Sequence, residues 1–279
     1  MQDPEFDYRN LVRVLSTDPG TVSEVLRLAN SALFGVRNKV VSVRQALTLL
    51  GPKRLRSLLL GRYLVDTVSN KKIGGLDMSY FWRRSLASSV LASQLAAEVL
   101  PRARDEAFIA ALLADIGIPI LAEALPKAYR KIVEQHAPHG RFVTPDEERQ
   151  YVQVTHGEVS AMVLAHWTLP DPICEAVNLH QSENPGEGFE ATLARLLNAS
   201  DRLARLLCEV SDQHECAAIC EEALVPIGLD VGRLVEVLPT IERDIEELAD
   251  ALRIDVVASQ CYALVAKSIQ EKLSEPATS

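Results

Sequence analysis

The chain has little of what marks the commoner enzymes and the sheet-based folds. Aromatic residues make up 5% of it, with two Trp and three Met, and there are only five cysteines. Those five (Cys174, Cys208, Cys216, Cys220 and Cys261) are odd in number and mostly set in apolar helical patterns. They fit reduced thiols better than a disulfide framework, which points to the cytoplasm. Strand-like alternation is almost absent, so the chain reads as all-α. No run reads as approaching the roughly 18 apolar residues of a membrane span, and no basic segment leads into an apolar one at the start. No membrane partner is therefore expected. There is no P-loop, no G-x-S-x-G elbow and no dinucleotide fingerprint, since Gly74-Gly75 lacks the flanking strand and helix signals. Those enzyme classes are set aside.

What is present suits a globular protein: 279 residues, 48% hydrophobic and 24% charged, enough for one large core or two smaller ones. Met1 to Phe6 (MQDPEF) resembles a cloning scar and is left out of the fold reasoning, with the natural protein expected to begin upstream. The net charge of -9 is unevenly spread. Residues 1–75 carry 12 Lys+Arg against 6 Asp+Glu, and residues 76–279 carry 17 against 32. A basic segment beside an acidic one suits a nucleic-acid or acidic-partner surface, or docking of the two on each other; the ordinary alternative is a solvated face.

Helix punctuation recurs along the chain. Asp18-Pro19, Ser42-x-x-Gln45, Thr144-Pro145-x-Glu147, Thr155-x-x-Glu158 and Asp171-Pro172 are start signals, and Gly51 is a stop. A long helix is expected from Pro52 to about Ser69, a linker at Asn70 to Gly75, and a long amphipathic helix from Met78 to Leu100. Further helices are expected near 214–224, 239–252 and 254–272, with the acidic run Glu242 to Asp250 as a solvated face. The divisions are 1–6 scar, 7–75 N-terminal helical lobe, 76–206 second helical lobe and 207–279 a C-terminal helical extension packing on the second lobe.

Phosphodiester hydrolysis at neutral pH needs one or two divalent ions held by imidazole and carboxylate groups. Asp115, His156, His180 and Asp201 are the candidates, each near a helix end or within a helical pattern. In the stretch AFIAALLADIG (Ala107 to Gly117), Asp115 follows Ala114, where a metal site would want a histidine.

An ordered set of motifs carries a family resemblance. DPGTVSEVLRLANSALFG (Asp18 to Gly35) and SVRQALTLLG (Ser42 to Gly51) are followed by FWRRS, AFIAALLADIG, THGEVSAMVLAHWTLP, AVNLHQ and NASDRLA. Over about Leu11 to Leu206 this order resembles the HDOD family, the HD-related output domains. The resemblance implies a two-lobed, all-helical fold, with a second lobe like that of the HD phosphohydrolases. It also implies a regulatory module of bacterial signalling, commonly joined to receiver or other sensory domains, without hydrolase activity. In the parent hydrolases the first metal histidine falls near Arg84, the His-Asp doublet on Ala114-Asp115, and the final aspartate on Asp201. Two of the four ligands are thus replaced, whereas His156 and His180 match histidines of the related cyclic-dinucleotide phosphodiesterases. Only one histidine stands where a double-histidine element would, since Leu179 and Gln181 flank His180.

Removing an ion without replacing its charge leaves carboxylates desolvated and mutually repulsive, so a salt bridge from Arg84 to Asp115 or Asp201 is expected. No catalytic residue, cofactor or metal is expected; any metal would use Asp115, His156, His180 and Asp201. Asn30-Ser31 is expected to pin backbone groups between the lobes, and Trp167 to Pro170 to plug a helix end by core packing. His214, Cys216 and Cys220 suit one face of a helix better than a metal clip. Lys53, Arg54, Arg56 and Arg62 are the candidate partner surface.

The leading expectation is a non-catalytic output module, the effector half of a response regulator, acting through a regulatory protein partner or its own receiver domain. A nucleotide ligand is left open. The alternatives are a metal-dependent phosphohydrolase of nucleotides or cyclic dinucleotides, and nucleic-acid binding through the basic lobe.

Overall fold

A computed structural model describes residues 15–30, 39–52, 75–136, 144–208, 213–252 and 261–274, with 12, 13, 55, 59 and 73. Among the described residues there is no strand, and most of the expected helix starts are made by the groups named for them; at Asp171-Pro172 the helix begins at Asp171 behind Pro170, with no side-chain cap. Asp18 caps α1 (Pro19–Ala29), its carboxylate accepting the Thr21 N–H at 2.7 Å. Thr144 and Thr155 form full capping boxes with Glu147 and Glu158. At Ser42 the box is displaced by one residue: its hydroxyl accepts the Gln45 N–H, while the Gln45 side chain takes the Val41 N–H rather than that of Ser42. The helix expected from Pro52 to Ser69 lies almost wholly outside the described residues. In the expected linker, Ile73 is buried against the core.

The centre of the molecule is α2 (Met78–Val99), capped by Asp77. It is not the amphipathic helix expected, because residues on all its faces are buried, from Met78 through Ala96. Its small residues, Ser85, Ala87, Ser88, Ser89 and Ala92, let neighbouring helices approach. The Ser85 and Ser89 hydroxyls donate to their own helix's carbonyls at Phe81 and Leu86, so they enter the core satisfied. Against α2 pack α3 (Arg104–Leu113) and, later in the chain, the long helices α9 (Phe189–Cys208) and α11 (Val231–Leu252).

After α3 the chain turns through Ala114 to Ile116 into α4 (Gly117–Ala124), followed by α5 (Pro126–His136) and α6 (Pro145–Tyr151). The stretch Arg104–Ala124 is long and apolar enough to cross a membrane, which corrects the reading that no run is; 83% of its most apolar 18-residue window is buried inside the protein. It is the broken core element α3–α4. A paired α7 (His156–His166) and α8 (Asp171–Leu179) cover it, α7 against α4 and α8 against α3 and α9. Trp167 closes α7 and packs on the core.

The C-terminal helices α10 (Gln213–Leu224), α11 and α12 (Cys261–Ser274) pack on one another; α10 and α12 also pack on α9, and α11 reaches α2 and α1. The expected start of α11 at Pro239 is wrong. The helix begins at Val231 behind Asp230, whose carboxylate accepts the Arg233 N–H, and it runs through Pro239. Nor is the acidic run a wholly solvated face, since Asp244 is buried and accepts from Gln94 Nε2 of α2 at 3.1 Å.

Candidate functional site

Five elements bring their ends or middles to one buried place. Arg84 comes from the second turn of α2, Asp115 from the turn between α3 and α4, His156 from the first residue of α7, His180 from the residue closing α8, and Asp201 from mid-α9. Arg84 is 1% exposed, Asp115 7%, His156 0% and His180 2%, so these four are held out of bulk water, while Asp201 is half-buried.

The expected salt bridge forms, and to both aspartates. Arg84 donates from Nε to Asp201 Oδ1 at 2.7 Å and from Nη2 to Asp201 Oδ2 at 2.5 Å, a bidentate fork; Nη2 also stands 3.7 Å from Asp115 Oδ2. Burial alone would lower the Arg84 pKa, but Asp201 and Asp115 outweigh it and raise it. The guanidinium is fixed positive charge between two carboxylates.

The other Asp115 oxygen faces the imidazoles. Oδ1 lies 3.4 Å from His156 Nε2 and 3.3 Å from His180 Nε2, and none of these three buried atoms has a hydrogen-bond partner. The rings sit edge to face with centroids 5.6 Å apart. Their other nitrogens are firmly held: His156 Nδ1 meets Glu148 Oε2 at 2.7 Å, and His180 Nδ1 meets the Val177 carbonyl at 2.6 Å. Glu148 is itself saturated, accepting the His156 backbone N–H on Oε2 at 2.7 Å and the Tyr129 hydroxyl on Oε1 at 2.6 Å.

Burial opposes charge on His156, but the carboxylates of Asp115 and Glu148 prevail and raise it from 6.5 to about 10. Burial likewise opposes ionisation of Asp115, yet His156, His180 and Arg84 together hold it well below the usual carboxylate range. Glu148 and Tyr129 escaped the sequence reading. Glu148 is fully buried, but in sequence it is one of three acids in the first turn of a capped helix, which gives no sign of that burial.

A glycine fixes the distance between the α4 and α7 ends. A Cβ on Gly117 would lie 2.1 Å from the His156 carbonyl oxygen, so the two backbones touch there. The Gly117 N–H is satisfied by the Ser160 hydroxyl at 2.8 Å. His180 is held from behind as well, its carbonyl accepting Asn198 Nδ2 at 2.9 Å from α9.

The profile of the HDOD domain matches residues 1–183. The chain belongs to the HDOD family. Its fold is shared with an HDOD domain protein of Geobacter sulfurreducens, at a TM-score of 0.68 and 19% identity over 90% of this chain and 88% of that one. A Shewanella amazonensis protein provisionally named a phosphohydrolase aligns at 0.69, with 22% identity and coverage of 90% and 89%. The MmoQ response regulator of Methylococcus capsulatus aligns at 0.53, with 26% identity over 84% of this chain and 90% of that chain. In sequence, an uncharacterized protein of Treponema pallidum is 25% identical over 65% of this chain, which spans only 35% of that relative's length.

Elsewhere in this HDOD chain the expectations fare unevenly. Lys53, Arg54, Arg56 and Arg62 lie outside the described residues, as does Ser31. Asn30 does pin backbone, but within the N-terminal segment rather than between lobes. Its Nδ2 donates to the Leu26 and Val40 carbonyls and its Oδ1 accepts the Val40 N–H, all at 2.7–2.8 Å. Cys216 and Cys220 both face the core from α10, and burial pushes the Cys220 thiol up to about 12, leaving it protonated.

Proposed function

We propose that this HDOD chain is a non-catalytic output module of a bacterial signalling protein of the response-regulator type, working by binding and conformational change. Residues 7–75 serve as its N-terminal lobe, 76–206 as its HD-like lobe and 207–279 as a C-terminal extension. The observation that carries this reading is the Arg84 fork on Asp201. A hydrolase would aim Asp201 and Asp115 at ions and water; here one aspartate is committed to a buried cation of the protein itself, and Ala114 beside the other brings no ligand. The similarity to the MmoQ response regulator supports the signalling role. Its own receiver domain or a regulatory protein is the partner sought, in the cytoplasm.

One observation favours the enzyme alternative: Asp115, His156 and His180 each offer a ligand atom within 4.8 Å of the others. Turnover decides between the two readings. Incubated with Mn²⁺ or Fe²⁺, the chain is expected to cleave neither bis-p-nitrophenyl phosphate nor a cyclic dinucleotide above the rate of metal alone. Cleavage that disappears in both Asp115→Ala and Asp201→Ala would overturn the non-catalytic reading.

A further inference from the structure

The two imidazoles and Asp115 present an electrostatic problem that the protein's own atoms do not solve. The tautomer of each ring is set by its Nδ1 partner. Glu148 Oε2 and the Val177 carbonyl only accept, so each Nδ1 carries a hydrogen and each neutral ring turns an Nε2 lone pair toward Asp115 Oδ1. Three acceptors thus converge in a buried space. Something positive belongs between them.

In the metal-stripped protein a proton on a ring meets this need in part, but the distances fit an ion better. An imidazole N–H donating to a carboxylate closes to about 2.7–2.9 Å, as the His156 Nδ1–Glu148 contact at 2.7 Å does. The Nε2 to Oδ1 separations are instead 3.4 and 3.3 Å. Ligand atoms bonded at ~2.0–2.1 Å to a tetrahedral ion stand about 3.3–3.4 Å from one another. The backing groups are also those of a metal site, since a ligating histidine donates its second N–H to a carboxylate or backbone carbonyl that fixes its orientation.

We propose that Asp115 Oδ1, His156 Nε2 and His180 Nε2 hold one divalent transition-metal ion. Arg84 keeps Asp201 out of the ligand set, so the site is mononuclear. Two imidazoles and a carboxylate select borderline ions such as Zn²⁺, Co²⁺ or Fe²⁺ over Mg²⁺ and Ca²⁺, which want more oxygen. The ion ties the α3–α4 turn to the start of α7 and the end of α8. It departs from the expectation of no metal and uses three of the four ligands named for that case. It rests on the non-catalytic reading only for the role of the ion, which is to join elements rather than to activate water.

The test uses the full chain, stripped with chelator and titrated with Co²⁺. One equivalent is expected to bind, with the visible bands of low-symmetry nitrogen and oxygen coordination and a rise in melting temperature. His180→Gln and Asp115→Asn, each confirmed as folded by circular dichroism, are expected to weaken binding by more than about a hundredfold, beyond the effect of losing an outer-shell partner. Mg²⁺ should not compete. The proposal is overturned if the folded wild type takes up no Co²⁺, if both folded variants bind it as well as the wild type, or if the spectrum shows sulfur charge transfer. Binding without phosphodiester cleavage supports both proposals, binding with cleavage removes only the non-catalytic reading, and no binding removes only the metal site.

Discussion

Replacing Arg84 with alanine strands two carboxylates inside the protein, and the cost of breaking a buried ion pair from one side is about 3–5 kcal/mol. Urea unfolding of Arg84→Ala should show a loss in that range. A loss below about 1 kcal/mol, the value of a surface pair, would mean that Arg84 does not anchor this fold. His156 supplies a second prediction at this scale, for the metal-stripped protein. Its folded pKa, about 10, lies above the ordinary 6.5, so its stabilisation is complete below pH 6.5 and is lost as pH rises through 10. Asp115 is depressed below 3.8 and acts in the opposite sense, contributing above that value and losing its effect as pH falls. Stability in chelator should therefore be highest between about pH 4 and 6.5 and decline toward pH 10. His156→Gln should flatten that decline, and a wild type that gains stability from pH 6.5 to 10 contradicts the reading. The arginine was legible in the sequence because carboxylates that lose an ion need another cation. Glu148 was not, because its burial follows from how α5 and α6 meet the start of α7, a tertiary relation that leaves no periodic trace.

At the scale of elements, local signals were read well where a side chain caps its own helix and poorly where neighbours decide. Asp18, Thr144 and Thr155 cap as their spacing says. Helix α2 was misread because amphipathicity presumes one solvent face, and a helix surrounded by α3, α9 and α11 has none. For α11 the expected range near 239–252 missed the first two turns, since Asp230 supplies the start and the helix runs through Pro239. Gly117 carries the sharpest prediction about how elements meet. Its missing Cβ lets α4 lie directly on the first residue of α7, and the obstacle to a side chain is backbone that cannot swing aside. Gly117→Ala should cost about 3 kcal/mol or more, the upper range of overpacking. Because the clash falls on His156 itself, the variant should also lose Co²⁺ affinity. Gly186→Ala, at an open position with φ of 86°, strains only its own backbone and should leave that affinity unchanged.

The whole molecule is less divisible than its sequence suggests. The family match ends at residue 183, yet the arginine fork that neutralises Asp115 and Asp201 closes on Asp201, and the helix carrying Asp201 is the main cover of α2. The extension beyond it joins the same core. Leu234, Val237, Leu238, Ile241, Ile245 and Leu248 of α11 are all buried in the hydrophobic cluster that includes α2, and Gln94 of α2 binds Asp244 of α11. Burying six such side chains contributes on the order of 10 kcal/mol, at about 1.5–3 kcal/mol each, against a whole-protein stability of about 5–15 kcal/mol. The extension is therefore too large a share of the balance to be an accessory. A chain ending at Cys208 should lose its cooperative thermal transition, bind a hydrophobic dye and self-associate, because a face of α2 and α9 is left open. If it instead melts as a monomer within a few degrees of the full chain, α10 to α12 form a separate unit. The buried charge cluster would then owe its support to the helices before Cys208 alone.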